Sequence, residues 1–190
     1  MEKTDAYIPL SAGKSVMRFD QSTATCQVFT YKEGLFSALA HDLRINVTSF
    51  VVDLDEEYMI QASFDTRSLH VDCAMVDGEA RYDLLSETSR REIDENILKD
   101  VLDSATYGEI SFSSASVSKE NSAYLVKGSL TMHGNSRELT FTVHEKEDTR
   151  IAEILLHLPD FGIVPFSALF GAIKIKPDVL IQVVIPGKKR

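Results

Sequence analysis

Apolar and polar residues alternate with a period of two over most of this chain, which is the pattern of strands with one buried face. Over 109–117, isoleucine and phenylalanine alternate with serine, and the same alternation recurs over 122–132 and 137–145. Turn residues separate these stretches, among them Gly134-Asn135, which suits a backbone with positive φ. The pattern therefore predicts consecutive antiparallel hairpins that form a meander.

Similar apolar stretches predict five further strands, at about 15–31, 42–52, 57–66, 150–158 and 178–186. A sheet of about eight antiparallel strands has two exposed edges unless it closes into a barrel. The interior of such a barrel is either filled by side chains or holds one small ligand. We therefore expect a mainly β fold, an antiparallel barrel of about eight strands with one or two short helices.

The helices are predicted by a different pattern. Ser89 followed by Glu92 matches a capping box, and apolar residues then recur every four positions up to Val101. A second short helix is expected at 165–171, because proline opens this segment and glycine ends it.

Length and charge limit the classes of function. The 190 residues suit a single domain, 1–190, with its core at about 15–186. The net charge of −9 argues against a nucleic-acid partner, which needs a basic surface. The sequence contains neither an apolar run long enough for stable membrane insertion nor a visible leader peptide. We therefore expect a cytoplasmic protein, or a periplasmic one if a native leader has been removed.

The two cysteines, Cys26 and Cys73, match no metal-binding or redox spacing. In a reducing compartment two buried free thiols are the expected state. No cofactor and no metal site are expected.

Three stretches carry a resemblance to a known family. Residues 98–117 contain a helix and then a strand of the form I-x-F-x-S, residues 126–143 contain G-x-L-T-h-x-G, where h is apolar, and residues 160–185 begin with D-F-G-I. In this order they resemble the YceI-like family, bacterial lipocalin-like barrels that bind polyisoprenoids and other long apolar lipids. The segment 40–50 departs from the family's usual form.

The resemblance implies non-covalent binding, transport, storage or sensing of an isoprenoid, quinone or fatty acyl lipid in the barrel lumen, and makes a homodimer an expectation. Each buried CH₂ contributes about 0.8 kcal/mol, so an apolar tail binds through buried area. From alternation alone, an inward phenylalanine in a small barrel is more often core filling than ligand wall. The residues expected to line the lumen are Phe36, Leu39, Phe64, Phe112, Leu130, Phe141, Phe161, Ile163, Phe166 and Phe170.

The pair His41-Asp42 has three interpretations. Adjacent residues on a strand point to opposite faces, which disfavours a catalytic dyad. The histidine spacings match no helix-borne zinc motif, which disfavours a metal site. We favour His41 as a ligand-contacting residue at the pocket entrance, with Asp42 facing outward and pairing with Arg44.

The tetrapeptide FSAL occurs twice, at 36–39 and 166–169. Each copy lies beside turn-forming or helix-starting residues and presents phenylalanine and leucine. We expect the two segments to be lids over barrel openings, with His41 as the polar edge of the first lid.

Two other classes of function remain alternatives to lipid binding. One is an enzyme that acts on a hydrophobic substrate with His41 as general base, although we expect no catalysis. The other is a protein-interaction barrel whose core is filled by side chains.

Overall fold

The computed structural model of the protein describes residues 15–33, 41–168, 170 and 173–187. Twelve strands form one curled antiparallel sheet, and two short strands form a separate pair, which confirms the mainly β prediction. The strands are β1 (Met17–Asp20), β2 (Thr25–Thr30), β3 (Asp42–Val47), β4 (Phe50–Leu54), β5 (Ile60–Asp65), β6 (Leu69–Val76), β7 (Glu79–Arg81), β8 (Glu109–Glu120), β9 (Ala123–Met132), β10 (Asn135–Lys146), β11 (Thr149–His157), β12 (Ser167–Ala168), β13 (Ile173–Lys174) and β14 (Asp178–Pro186).

The sheet has twelve strands where the sequence predicts about eight. Three long runs of chain are bent into two strands each, and β7 adds a short strand at one edge. The predicted strand at 57–66 covers only β5, the first half of the third run. The pairs β1–β2, β3–β4 and β5–β6 are each interrupted by two to four residues, at 21–24, 48–49 and 66–68. Both halves of the first run pair with the second run, β1 with β4 and β2 with β3. Pairing then continues around the sheet to β14, which pairs with β2. Eight runs therefore surround a common interior.

One hairpin turn lies one residue earlier than the sequence predicts. His133 and Gly134 have φ values of 51° and 73°, and Met132 pairs with Asn135. Two positive φ values in a two-residue loop give the turn that matches strand twist. Asn135 is consequently the first residue of β10, and its side-chain amide donates to the carbonyl oxygen of Phe161 at 2.9 Å.

The helix begins earlier than the capping-box pattern predicts. Helix α1 (Glu87–Asn96) follows Ser86, whose hydroxyl accepts the backbone N–H of Ser89 at 3.0 Å, and a π-helical turn (Ile97–Val101) continues it. Asp94 accepts the backbone N–H of Val71 at 2.7 Å, which holds the helix against β6. No helix in the described part of the chain is long and apolar enough to cross a membrane.

The helix expected at 165–171 is wrong. Ser167–Ala168 is instead strand β12, which pairs antiparallel with Ile173–Lys174. Pro165 suits the first turn of a helix, but Ser167 and Ala168 are extended and pair with β13. Residues 169, 171 and 172 lie outside the described residues.

The interior has two parts of different density. At the end of the barrel where β3 begins and β11 ends, buried apolar side chains fill the space. We call this the packed end, and its residues are Leu43, Ile45, Val71, Leu158, Phe161 and Ile163. The opposite part of the interior encloses a cavity, and we call it the hollow part.

Candidate functional site

The hollow part is a cavity of about 170 Å³ whose wall is almost entirely apolar. All eight runs contribute to the wall, usually through every second residue, as expected for inward positions of strands. The lining residues are Cys26, Val28, Val47, Val52, Leu54, Tyr58, Ile60, Ala62, Phe64, Leu69, Ile110, Phe112, Val117, Tyr124, Val126, Leu130, Met132, Leu139, Phe141, Val143, Arg150, Ala152, Ile154, Leu156, Ile181, Val183 and Ile185.

Four of the residues that the sequence proposes for the lumen lie in this wall: Phe64, Phe112, Leu130 and Phe141. The rings of Phe112 and Phe141 lie 5.5 Å apart between centroids. Phe64 stacks on Phe50 at 6.0 Å. These residues face the cavity because they occupy inward positions of long, regular strands.

An inward glycine makes room for one of these rings. A Cβ atom on Gly128 would lie 2.6 Å from the ring of Phe112 and 2.3 Å from the carbonyl oxygen of Ser113. The register of β8 against β9 shifts between Ser114 and Ser116, directly opposite this glycine. Only a glycine lets the two backbones approach this closely at the bulge.

Phe161 and Ile163 belong to the packed end and do not line the cavity, contrary to the sequence prediction. Their exposed fractions are 2% and 1%. They flank Gly162, whose φ of 75° ends a short 3₁₀ helix at Leu158–Phe161 and turns the chain. The connection after β11 thus carries both side chains into the core, where they fill space.

Phe166 and Phe170 also lie outside the cavity wall. Phe166 is half-buried, and its carbonyl oxygen accepts the backbone N–H of Ile175 at 3.1 Å. Phe170 is fully exposed, with a φ of 56°, because it lies on the connection beyond β12 rather than on a strand. Phe36 and Leu39 lie outside the described residues.

His41 is half-buried and does not line the cavity. Asp42 accepts the backbone N–H of Lys32 at 2.8 Å. The predicted Asp42–Arg44 pair is wrong, because Arg44 instead binds Asp72 at 2.6 Å across the β3–β6 ladder. The described residues contain no group of three or more side chains able to hold a metal ion.

The described flanks of the two FSAL segments meet at the same end of the barrel. Their flanks are joined by backbone hydrogen bonds from Glu33 to Lys174 and from Lys176 to Tyr31, each 2.8 Å long, and by a 3.0 Å ion pair between Lys174 and Glu33. The whole first copy, 36–39, and Leu169 of the second copy lie outside the described residues, so the role of both segments as lids stays a prediction.

Both cysteines are buried free thiols, as the sequence predicts. Cys26 lines the cavity, and burial raises the pKa of its thiol to about 12. Desolvation also raises the pKa of the Cys73 thiol. Thiols with such raised pKa values stay protonated at neutral pH and are poor nucleophiles.

Sequence reasoning missed one charged residue in the cavity wall. Arg150 is only 5% exposed, and its guanidinium lies 5.1 Å from the ring centroid of Tyr58 and 5.7 Å from that of Tyr124. Its Nε donates to Glu145 at 3.0 Å, which lowers the pKa of that carboxyl. Alternation along the strand could have revealed this residue, because Arg150 lies two positions before Ala152 and therefore on the same inward face of β11.

This group closes the hollow part at the end opposite the packed end. Tyr58, Tyr124 and Arg150 line both the cavity and a polar recess on the outside, which also includes Lys119 and Glu145. The Nζ of Lys119 lies 4.0 Å from Glu145 and 5.3 Å from the ring centroid of Tyr124. The site therefore combines an apolar chamber with one polar, hydrogen-bonding end.

Comparison with known proteins agrees with this architecture. BcnA of Burkholderia cenocepacia has the same fold, with a TM-score of 0.62 and 15% identity over 89% of this chain and 99% of its own. A polyisoprenoid binding domain from Saccharophagus degradans gives a TM-score of 0.56 and 10% identity over 90% of this chain and 97% of its own. No curated protein matches the sequence significantly. The model of the YceI-like domain matches residues 14–186, and the chain therefore belongs to the YceI-like family.

Proposed function

We propose that this protein binds a long apolar ligand non-covalently in its hollow part, in order to carry, store or sense it. The observation that carries the proposal is the apolar cavity inside the sheet, to which every run contributes. The neighbouring structure from Saccharophagus degradans is described as a polyisoprenoid binding domain, which supports a ligand of the isoprenoid, quinone or fatty acyl class.

The size of the cavity restricts how such a ligand is held. Pockets for drug-sized ligands measure about 300–1,000 Å³, and a cavity of about 150 Å³ holds a molecule such as benzene. At about 170 Å³ the cavity holds a short apolar segment. A long tail enters further only when wall side chains change rotamer, and residues such as Leu139, Ile154 and Ile181 are not fully packed.

The chemistry of the wall favours binding over turnover. Nucleophilic catalysis needs an activated nucleophile beside a base. Cys26 is the thiol in the wall, and with a pKa of about 12 it stays protonated at neutral pH. His41, the general base of the alternative interpretation, lies outside the wall.

The direct test is organic extraction of the purified protein followed by mass spectrometry, in which we expect an apolar compound in stoichiometric amount.

The quantitative test is a series of n-alcohols of increasing length that displace a fluorescent apolar probe. Each added CH₂ should tighten binding about fourfold until the cavity is full, because burial of a CH₂ contributes about 0.8 kcal/mol. Affinity that does not depend on chain length would contradict binding in the lumen.

A further inference from the structure

We propose that Arg150 is the head-group site of the ligand, and that it binds an uncharged hydrogen-bond acceptor, above all a carbonyl oxygen, at the end of the apolar tail. This inference rests on the proposed function, because it requires a tail in the hollow part. It gives the bound ligand a defined orientation, in which the head lies at the Arg150 end and the tail points toward the packed end.

The guanidinium has hydrogen-bond donors available to a ligand at this position. Its Nε donates to Glu145, whereas Nη1 and Nη2 donate to no residue in the described part of the chain. These two nitrogens carry four N–H groups. Neither nitrogen is among the fully buried atoms that lack a partner, so both keep accessible surface through which a ligand oxygen can reach them. Hydrogen bonds from a charged donor are also stronger than those between neutral groups. Arg150 borders both the cavity and the outer recess, so an oxygen at either side of it comes within reach.

The rings around Arg150 hold it in a fixed orientation. Tyr58 and Tyr124 lie 5.3 Å apart between ring centroids, and both contact the guanidinium. Tyr58 has a φ of 64°, which is uncommon for a bulky residue. Asp55 holds this turn by accepting the backbone N–H groups of Glu57 at 2.8 Å and Met59 at 2.9 Å. Backbone strain of this kind concentrates at ligand sites, where it fixes the geometry in advance.

The charges around the recess decide the class of head group. Among the described residues, its lining contains three acids, Glu145, Glu147 and Asp148, and two cations, Lys119 and Arg150, so that these five carry one net negative charge. The low pKa of Glu145 keeps its carboxylate ionised at neutral pH. A phosphate or carboxylate head would add a like charge beside these acids, whereas a carbonyl oxygen accepts the free N–H groups without adding charge.

The test measures how one substitution changes the affinities for three ligands of equal length: 2-undecanone, undecane and undecanoate. Each ligand displaces a fluorescent apolar probe from the wild type and from Arg150→Met, which keeps an apolar side chain of similar length. We expect the substitution to weaken the binding of 2-undecanone about tenfold and to change the affinity for undecane less than twofold. Arg91→Met, the same replacement on the exposed face of α1, should change the affinity for neither 2-undecanone nor undecane.

The remaining outcomes separate the two proposals. Equal weakening of ketone and alkane would show that Arg150 only closes the barrel, and undecanoate as the tightest ligand of the wild type would overturn the choice of an uncharged head. Failure of all three ligands to displace the probe from the wild type would instead contradict the proposed function. Where Arg150→Met does not fold, Arg150→Lys keeps the charge and loses the guanidinium fork, and it should weaken the ketone selectively.

Discussion

The packed end and the hollow part contain the same kinds of side chain in different surroundings. Phe161 fills the packed end and is 2% exposed, whereas Phe141 faces Phe112 and a void. The packed end receives the connection after β11, whose residues fill the space between the walls. The hollow part receives no such segment from the described residues, and a cavity of about 170 Å³ remains between its strands.

This difference shows how one sheet can provide both stability and a binding chamber. Close packing at one end supplies contacts that hold the runs together, since packed interiors lose stability when any volume is removed. The hollow part gives up some of those contacts, and the space that remains is available to a ligand. Substitutions at matched positions in the two parts therefore test the comparison directly.

The largest difference is expected from phenylalanine truncation. Phe161→Ala should lower the free energy of unfolding by about 3–5 kcal/mol, because it removes a fully packed ring and leaves a cavity. Phe141→Ala should cost about 1–2 kcal/mol, because its ring already borders a void. Urea denaturation measures both values. Equal losses would mean that the two parts are packed alike.

Filling space should have different outcomes inside and outside the cavity wall. Ala74 is wholly buried and lies outside the cavity wall, so Ala74→Leu should destabilise the protein by about 1–3 kcal/mol through overpacking. Ala152 lines the cavity, so Ala152→Leu should change stability by less than about 1 kcal/mol. The new side chain occupies the ligand's space, and binding of undecane should weaken by about 2 kcal/mol. Undiminished binding to Ala152→Leu would place the ligand elsewhere.

The smallest effect concerns the charged closure of the hollow part. The hydrogen bond from Arg150 lowers the pKa of Glu145 below its ordinary value of 4.5. A lowered pKa stabilises the folded state above the ordinary value, and this contribution is lost as the pH falls from about 4.5 through the folded-state pKa. The difference in stability between the wild type and Glu145→Gln should therefore shrink on acidification. Urea titrations between pH 7 and pH 3 measure it, and a difference that does not vary with pH would contradict the ion pair's role.

The family motifs acquire physical explanations from the structure. Gly128 of the G-x-L-T-h-x-G motif lets β8 approach β9 where the Phe112 ring enters the cavity wall. Gly162 of D-F-G-I adopts positive φ between two core residues of the packed end. The first motif therefore shapes the hollow part, and the second fills the packed end. Their order in the sequence carries the resemblance, whereas their separate roles depend on position in the barrel.

Alternation and residue spacing along the chain correctly predicted the mainly β class, the meander of β8 to β11 and the two buried thiols. It also identified Phe64, Phe112, Leu130 and Phe141 as inward residues, because alternation records which face of a strand avoids water. The bends in the first two runs were not predicted, since each of these runs reads as one continuous apolar stretch. Strands β6 and β7 were not predicted at all.

What lies across the interior from each inward residue depends on how the eight runs fold together. Periodicity distinguishes inside from outside, but Phe161 and Phe141 differ in whether another side chain meets them, which depends on segments distant in the sequence. For the same reason Arg150 reads as the first polar residue of a strand, while folding places it between Tyr58 and Tyr124 at the end of an apolar chamber. The contacts that make it a candidate binding residue exist only once the eight runs have closed around the cavity.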